Sequence, residues 1–115
     1  MVTPDAQLRA LCLALAGTVE VRAWEVPTYR VAGRMYAMYA PATGATGRDR
    51  PAVWVHDRPA NQAFMLEAEP TRCFAPPYVG AKGWLGVWLD TPEAWSLAAD
   101  LLVDAHARVR RMRRA

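Results

Sequence analysis

The chain has 115 residues, 53% of them hydrophobic and 22% charged, a globular composition that excludes intrinsic disorder and sets one domain with a single modest core as the expectation. The formal charge is +3, with two histidines and two cysteines, too few ligands for a structural zinc site. Five arginines and no acid fall within residues 108–115, RVRRMRRA, which leaves nine basic and eleven acidic side chains in the other 107 residues, a net of −2. The basic character thus sits in a C-terminal tail. It either solubilises a helix end, where arginines also suit the dipole, or meets an acidic partner.

Thr3-Pro4-Asp5 reads as a helix start, with Thr3 as N-cap, Pro4 in the first turn and an acid at the positive end. Leu8, Leu11, Cys12 and Leu15 recur at helical spacing, and Gly17 reads as the left-handed cap. From Thr18 the period changes to two. TVEVRAW places Val19, Val21 and Ala23 on one face and Glu20, Arg22 and Trp24 on the other. PTYRV and RMYAMYA, joined by Ala32-Gly33, predict an antiparallel hairpin. Residues 41–50, PATGATGRDR, read as a mobile loop, and PAVWVH as a fourth strand. A second helix starts at Arg58-Pro59, with Ala63, Phe64 and Met65 as its apolar contacts, and Pro70 stops it.

In CFAPPYVGAKGWLGVWLD, residues 73–90, Pro76-Pro77 enforces extended backbone, and Gly80 and Gly83 permit turns. GWLGVWLD alternates, with Leu85, Val87 and Leu89 on one side and Trp84, Gly86 and Trp88 on the other. Thr91-Pro92-Glu93 repeats the helix-start pattern. Ala94, Leu97, Ala98, Leu101, Leu102, Ala105 and Val109 then stripe a long last helix. The order is α-β-β-β-β-α-β-α over one domain, 1–115. With no helical crossover among the first four strands, the sheet is expected to be antiparallel, its helices on one face in a two-layer α+β arrangement.

LRALCLALAGTVE, PTYRVAGRMYA and FAPPYVGAKGW followed by LGVWLD resemble, in order and spacing, the MmcQ/YjbR family of small bacterial proteins along nearly the whole chain. The resemblance implies a CyaY-like fold, shared in outline with bacterial frataxin. It also implies the double-wing shape that contacts DNA in a phage transcription activator. A frataxin-like iron role does not carry over, because the first helix offers Asp5 as its only acid before Glu20.

Strand parity puts Arg22, Trp24, Arg30, Arg34, Tyr36, Trp54, His56, Trp84 and Trp88 on the face turned from the helices. Arginines beside aromatic rings suit nucleic acid, since guanidinium groups hold phosphates and rings stack on bases. Lys82, between glycines, reaches toward a phosphate. The expected DNA-binding set is therefore Arg30, Arg34, Lys82, Trp84 and Trp88, with Arg108, Arg110 and Arg111 from the tail. The same aromatics also suit an ordinary sheet, with Trp84 and Trp88 clamped over Gly86. Alternatively, Pro76, Pro77, Tyr78, Trp84 and Trp88 wall an apolar site for a small molecule or protein.

Catalysis has little support. His56 and His106 lack a nucleophile pattern, with His106 read as a surface residue. Cys12 reads as a small apolar filler, and Cys73 as a buried inert thiol unless Arg72 or Lys82 lowers its pKa enough for a thiol-dependent activity. No cofactor or metal is expected. Without a signal peptide or a spanning segment, the chain reads as cytoplasmic, away from the membrane, and as a monomer or weak homodimer.

Overall fold

The computed structural model describes residues 2–42 and 50–112, so most of the expected 41–50 loop and the end of the basic tail lie outside the described residues. Helix α1 spans Pro4–Leu13, capped as its sequence predicts by the Thr3 hydroxyl, which accepts from the Ala6 amide at 3.4 Å. The helix stops at Leu13 and a turn carries the chain to Gly17, whose φ is +74°. Six strands follow in one sheet: β1 (Val19–Ala23), β2 (Val26–Val31), β3 (Arg34–Ala40), β4 (Ala52–Val55), β5 (Cys73–Phe74) and β6 (Leu85–Trp88). Helix α2 (Pro59–Ala68) separates β4 from β5, a 3₁₀ turn at Val79–Lys82 precedes β6, and helix α3 runs from Pro92 to Met112. The strand order is β1-β2-β3-β4-β6-β5, and every pair is antiparallel.

The α+β class, the antiparallel sheet and the element order agree with the sequence reading, apart from the two-residue β5. The turn at Ala32-Gly33, both at positive φ, joins β2 to β3 as expected. A second two-residue turn, Trp24-Glu25, also at positive φ, joins β1 to β2. Trp24 is therefore a turn residue rather than part of a strand face.

The main core lies between the sheet and helices α1 and α3. Leu8 and Cys12 from α1, Tyr29, Val53, Leu85 and Val87 from the sheet, and Ala98, Leu102, Ala105 and Val109 from α3 are all buried there. Helix α2 buries none of its side chains fully. Met65 and Leu66 lean on the core, whereas Phe64 and Ala63 stay exposed, against expectation. His106, read from sequence as a surface residue, is buried on α3. Its Nε2 donates to the Ala16 carbonyl at 2.6 Å, and its ring meets Tyr36 edge-on at 5.3 Å.

The opposite sheet face is not bare. Met38, Ala40, Ala52, Trp54 and Trp84 form a second buried cluster there, with Phe74, Val79 and Trp88 packed against it. Three face assignments made by strict alternation fail, those of Tyr36, Arg34 and Arg22. Tyr36 turns to the helix side because β3 carries a bulge. The pairing steps from Tyr29↔Ala37 to Arg30↔Met35, which leaves Tyr36 as the extra residue. Arg34 falls on the helix side because it pairs across to Val31 of the main core. Arg22 also belongs to the helix side, since its strand neighbour Glu20 pairs across to Tyr29 of the main core.

Candidate nucleic-acid interface

The register aligns three rows across the face turned from α1 and α3. Val19, Arg30 and Met35 lie in the first, continued by His56, whose amide bonds to the Tyr36 carbonyl, and by Trp84. The second holds Val21, Thr28, Met38, Trp54 and Gly86; the third Ala23, Val26, Ala40, Ala52 and Trp88. Arg30 is the one charged residue among these positions.

The first row marks one end of the sheet. There β2 turns into β3, β4 leaves toward α2, and β6 begins. Helix α3 starts beside the far end of β6 and returns to this end, where Arg108 Nη1 donates to the His56 carbonyl at 2.9 Å. Arg30, Arg34, Arg58, Lys82, Arg108, Arg110 and Arg111, separated by up to 81 positions in sequence, thus gather at one end. Gly83 shows how tightly this end is drawn. A Cβ there would sit 2.6 Å from the Pro59 nitrogen, and its φ of +99° is one that glycine adopts readily.

The charges at this end are mostly uncompensated. Among the described residues, ion pairs engage Arg9 with Glu20, Arg50 with Asp90, Arg72 with Glu69 and Arg108 with Asp57. Of the gathered cations only Arg108 is paired. Its partner Asp57 is buried and also accepts from the Arg58 amide at 2.8 Å and Asn61 Nδ2 at 2.6 Å. Asp104, one turn before Arg108, is the nearby carboxylate without an ion-pair partner among the described residues. Arg30 is half-buried, and its Nε is shut from solvent with no hydrogen-bond partner. Burial and the neighbouring Arg108 hold the His56 imidazole below its ordinary 6.5.

The aromatic part of the expected set is distributed differently. Trp84 is 7% exposed, packed edge-on against His56 at 5.7 Å, and Trp54 is 2% exposed. Neither presents a ring to a base. Trp88 lies at the opposite end of the sheet from Arg30 and Arg34. It stacks on Phe74 at 4.1 Å, with the Arg50 guanidinium 4.5 Å above it. The clamp over Gly86 is the Phe74 ring, which a Cβ at Gly86 would meet at 2.3 to 2.6 Å; it is not the two tryptophans. The two-residue strand that delivers Phe74 was too short to carry a sequence signal.

Tyr78 is the most exposed aromatic among the described residues at 86%, ahead of Trp24 at 71% in the β1–β2 turn and Phe64 at 65% on α2. It sits at φ +65°, ψ −68°, and the Val79 amide bonds to the Pro77 carbonyl at 2.7 Å. This is a γ-turn with a positive φ at its centre, a strained geometry in a non-glycine residue. Pro76 and Gly80 fix it from either side through a 2.9 Å backbone bond. Pro76 is buried and Pro77 half-buried, so with Tyr78 turned to solvent and the tryptophans at opposite ends of β6, these five residues do not share one wall. A depression of ≈ 290 Å³ beside Trp88 is lined instead by Arg50, Arg72, Asp90 and Glu93 among others.

Cys12 and Cys73 are buried and free, their thiols pushed up by burial to about 12 and about 11, so neither is a thiolate at neutral pH. Among the described residues no three of His, Cys, Asp and Glu stand together as metal ligands, and no helix is long and apolar enough to cross a membrane.

A two-layer α+β domain with an antiparallel six-stranded sheet and one basic end is the class these features define. A YjbR model matches residues 13–108, and the chain belongs to the YjbR family. Among solved structures it is similar to the Deinococcus radiodurans protein DR2400, described by its DUF419 domain, with a TM-score of 0.74 and 25% identity, covering 95% of this chain and 79% of that one. No curated protein matches.

Proposed function

We propose that the protein is a non-catalytic DNA-binding protein that grips the phosphate backbone with the basic end of its sheet. The observation that carries this reading is the gathering of Arg30, Arg34, Arg58, Lys82, Arg110 and Arg111, none of them ion-paired among the described residues, around an end whose buried carboxylate is already engaged. Unpaired guanidinium groups on separate elements suit a curved line of phosphates, and each phosphate neutralised releases counterions. Arg113 and Arg114 follow in the sequence and extend the same charge.

In this reading the contact to a base or sugar falls to Tyr78, held outward by its γ-turn just before Lys82, and not to Trp84 or Trp88. The test is fluorescence anisotropy of a short labelled duplex. Arg34→Ala with Lys82→Ala lowers affinity on every sequence, and Tyr78→Ala weakens binding by about tenfold or less, the range of one stacked ring. Affinity unchanged by both, in variants that melt like the parent, would reject the assignment.

A further inference from the structure

We infer that β1 is the interface of a symmetric homodimer, in which two copies pair antiparallel through this strand about Val21. The strand order leaves β1 at one edge of the sheet. Which of its backbone groups are free follows from the turn beside it. Trp24 and Glu25 have φ of +52° and +66°, a two-residue turn whose closing pair, Ala23–Val26, exchanges both backbone bonds. Alternation then gives the same exchange to Val21–Thr28 and Val19–Arg30. Glu20 and Arg22 therefore direct N–H and C=O away from β2. Pro27 stands opposite Arg22, where no N–H toward β1 is needed. Among the described residues no other backbone group reaches Glu20 or Arg22.

The sequence along this edge, Val19-Glu20-Val21-Arg22-Ala23, is complementary to itself when reversed. Pairing about Val21 sets Glu20 against Arg22 of the partner subunit, and the two-fold axis repeats the match. Because Glu20 and Arg22 carry the outward backbone groups, this register also makes them the bonded pairs, four backbone hydrogen bonds in all. Both side chains are already ordered near the strand. Arg9 holds Glu20 at 2.6 and 3.0 Å, and Arg22 Nη2 donates to the Glu25 carbonyl at 2.9 Å. On the other face Val19 and Val21 are 59% and 38% exposed, and the pairing joins them to the valines of the second copy in one apolar strip. Edge strands are ordinarily protected by charges that repel a second strand. Here the two charges, two positions apart and opposite in sign, favour one.

The two sheets become continuous, with their basic ends pointing in opposite directions, so this inference stands apart from the DNA reading. Sedimentation velocity of the full chain over a concentration series tests it. The parent is expected to reach twice the chain mass. Glu20→Arg alone, and Arg22→Glu alone, each set like charges opposite one another twice and weaken the dimer about tenfold or more. The double swap Glu20→Arg with Arg22→Glu restores it, and Val21→Lys, which leaves the Arg9–Glu20 pair intact, abolishes it. Thermal melts confirm that each variant is folded. A parent that stays monomeric throughout the series, a dimer indifferent to Val21→Lys, or a folded double swap that remains monomeric would each overturn the inference.

Discussion

Replacing Arg108 by alanine separates a structural cation from a binding one. Arg108 Nη1 donates to the His56 carbonyl at 2.9 Å and Nη2 lies 3.6 Å from Asp57, whose side chain is 1% exposed. Breaking a buried ion pair from one side typically costs about 3–5 kcal/mol. Asp57 keeps its bonds from the Arg58 amide and Asn61, and 3.6 Å is long for a direct bond, so the cost falls at or just below the bottom of that range, about 2–3 kcal/mol. An unfolding entropy of about 2 cal/mol/K per residue makes each kcal/mol about 4 °C for this chain, so the melting midpoint should fall by about 8–12 °C. Asp57→Asn with Arg108→Ala should recover part of the loss, with a coupling of about 1–2 kcal/mol from melts of the four proteins. The salt slope of DNA binding should change by less than one phosphate contact, because this guanidinium is already neutralised. A coupling below about 0.3 kcal/mol, or a slope that falls as it does for Arg110→Ala, would refute the structural role.

Other outcomes follow from the same geometry. Gly83→Ala forces a strained φ and a backbone clash with Arg58-Pro59, and should destabilise by about 3 kcal/mol in a denaturant titration. The folded state holds the His56 pKa below its unfolded value, so this group's contribution is complete above pH 6.5 and is lost as pH falls through the window below it; His56→Gln should flatten that part of a stability–pH curve. Both thiols should resist alkylation at neutral pH in the native protein and react on unfolding, as read by intact mass.

Much of the fold is legible in the residues. Thr3-Pro4-Asp5 and Thr91-Pro92-Glu93 mark helix starts because the physics of an N-terminus is local, and the alternation of Leu85, Val87 and Leu89 correctly sends them into the main core. What eluded the sequence depends on distant partners. The bulge at Tyr36 exists only in the pairing of β2 with β3, and it reverses the parity of the residues before it. The second cluster, with Trp54 and Trp84 inside it, requires Phe74 and Val79 to fold over the far face. Of the expected DNA-binding set, Arg30, Arg34, Lys82, Arg108, Arg110 and Arg111 do meet at one end, but through the return of α3 rather than through a shared sheet face. Arg58 and Tyr78 join them there. Tyr78 was noticed only as part of an apolar wall, because a γ-turn that exposes a ring has no signature beyond the prolines before it.

The most direct measurement is the dependence of duplex affinity on salt, compared between the parent and Arg110→Ala with Arg111→Ala. Each phosphate contact adds about 0.9 to the slope of log K against log salt. The parent should therefore show a steep slope, and the double substitution should reduce it by about 1.8. A parent whose affinity is flat across the series, or a slope untouched by removing both arginines, would contradict the claim that the basic end holds the backbone.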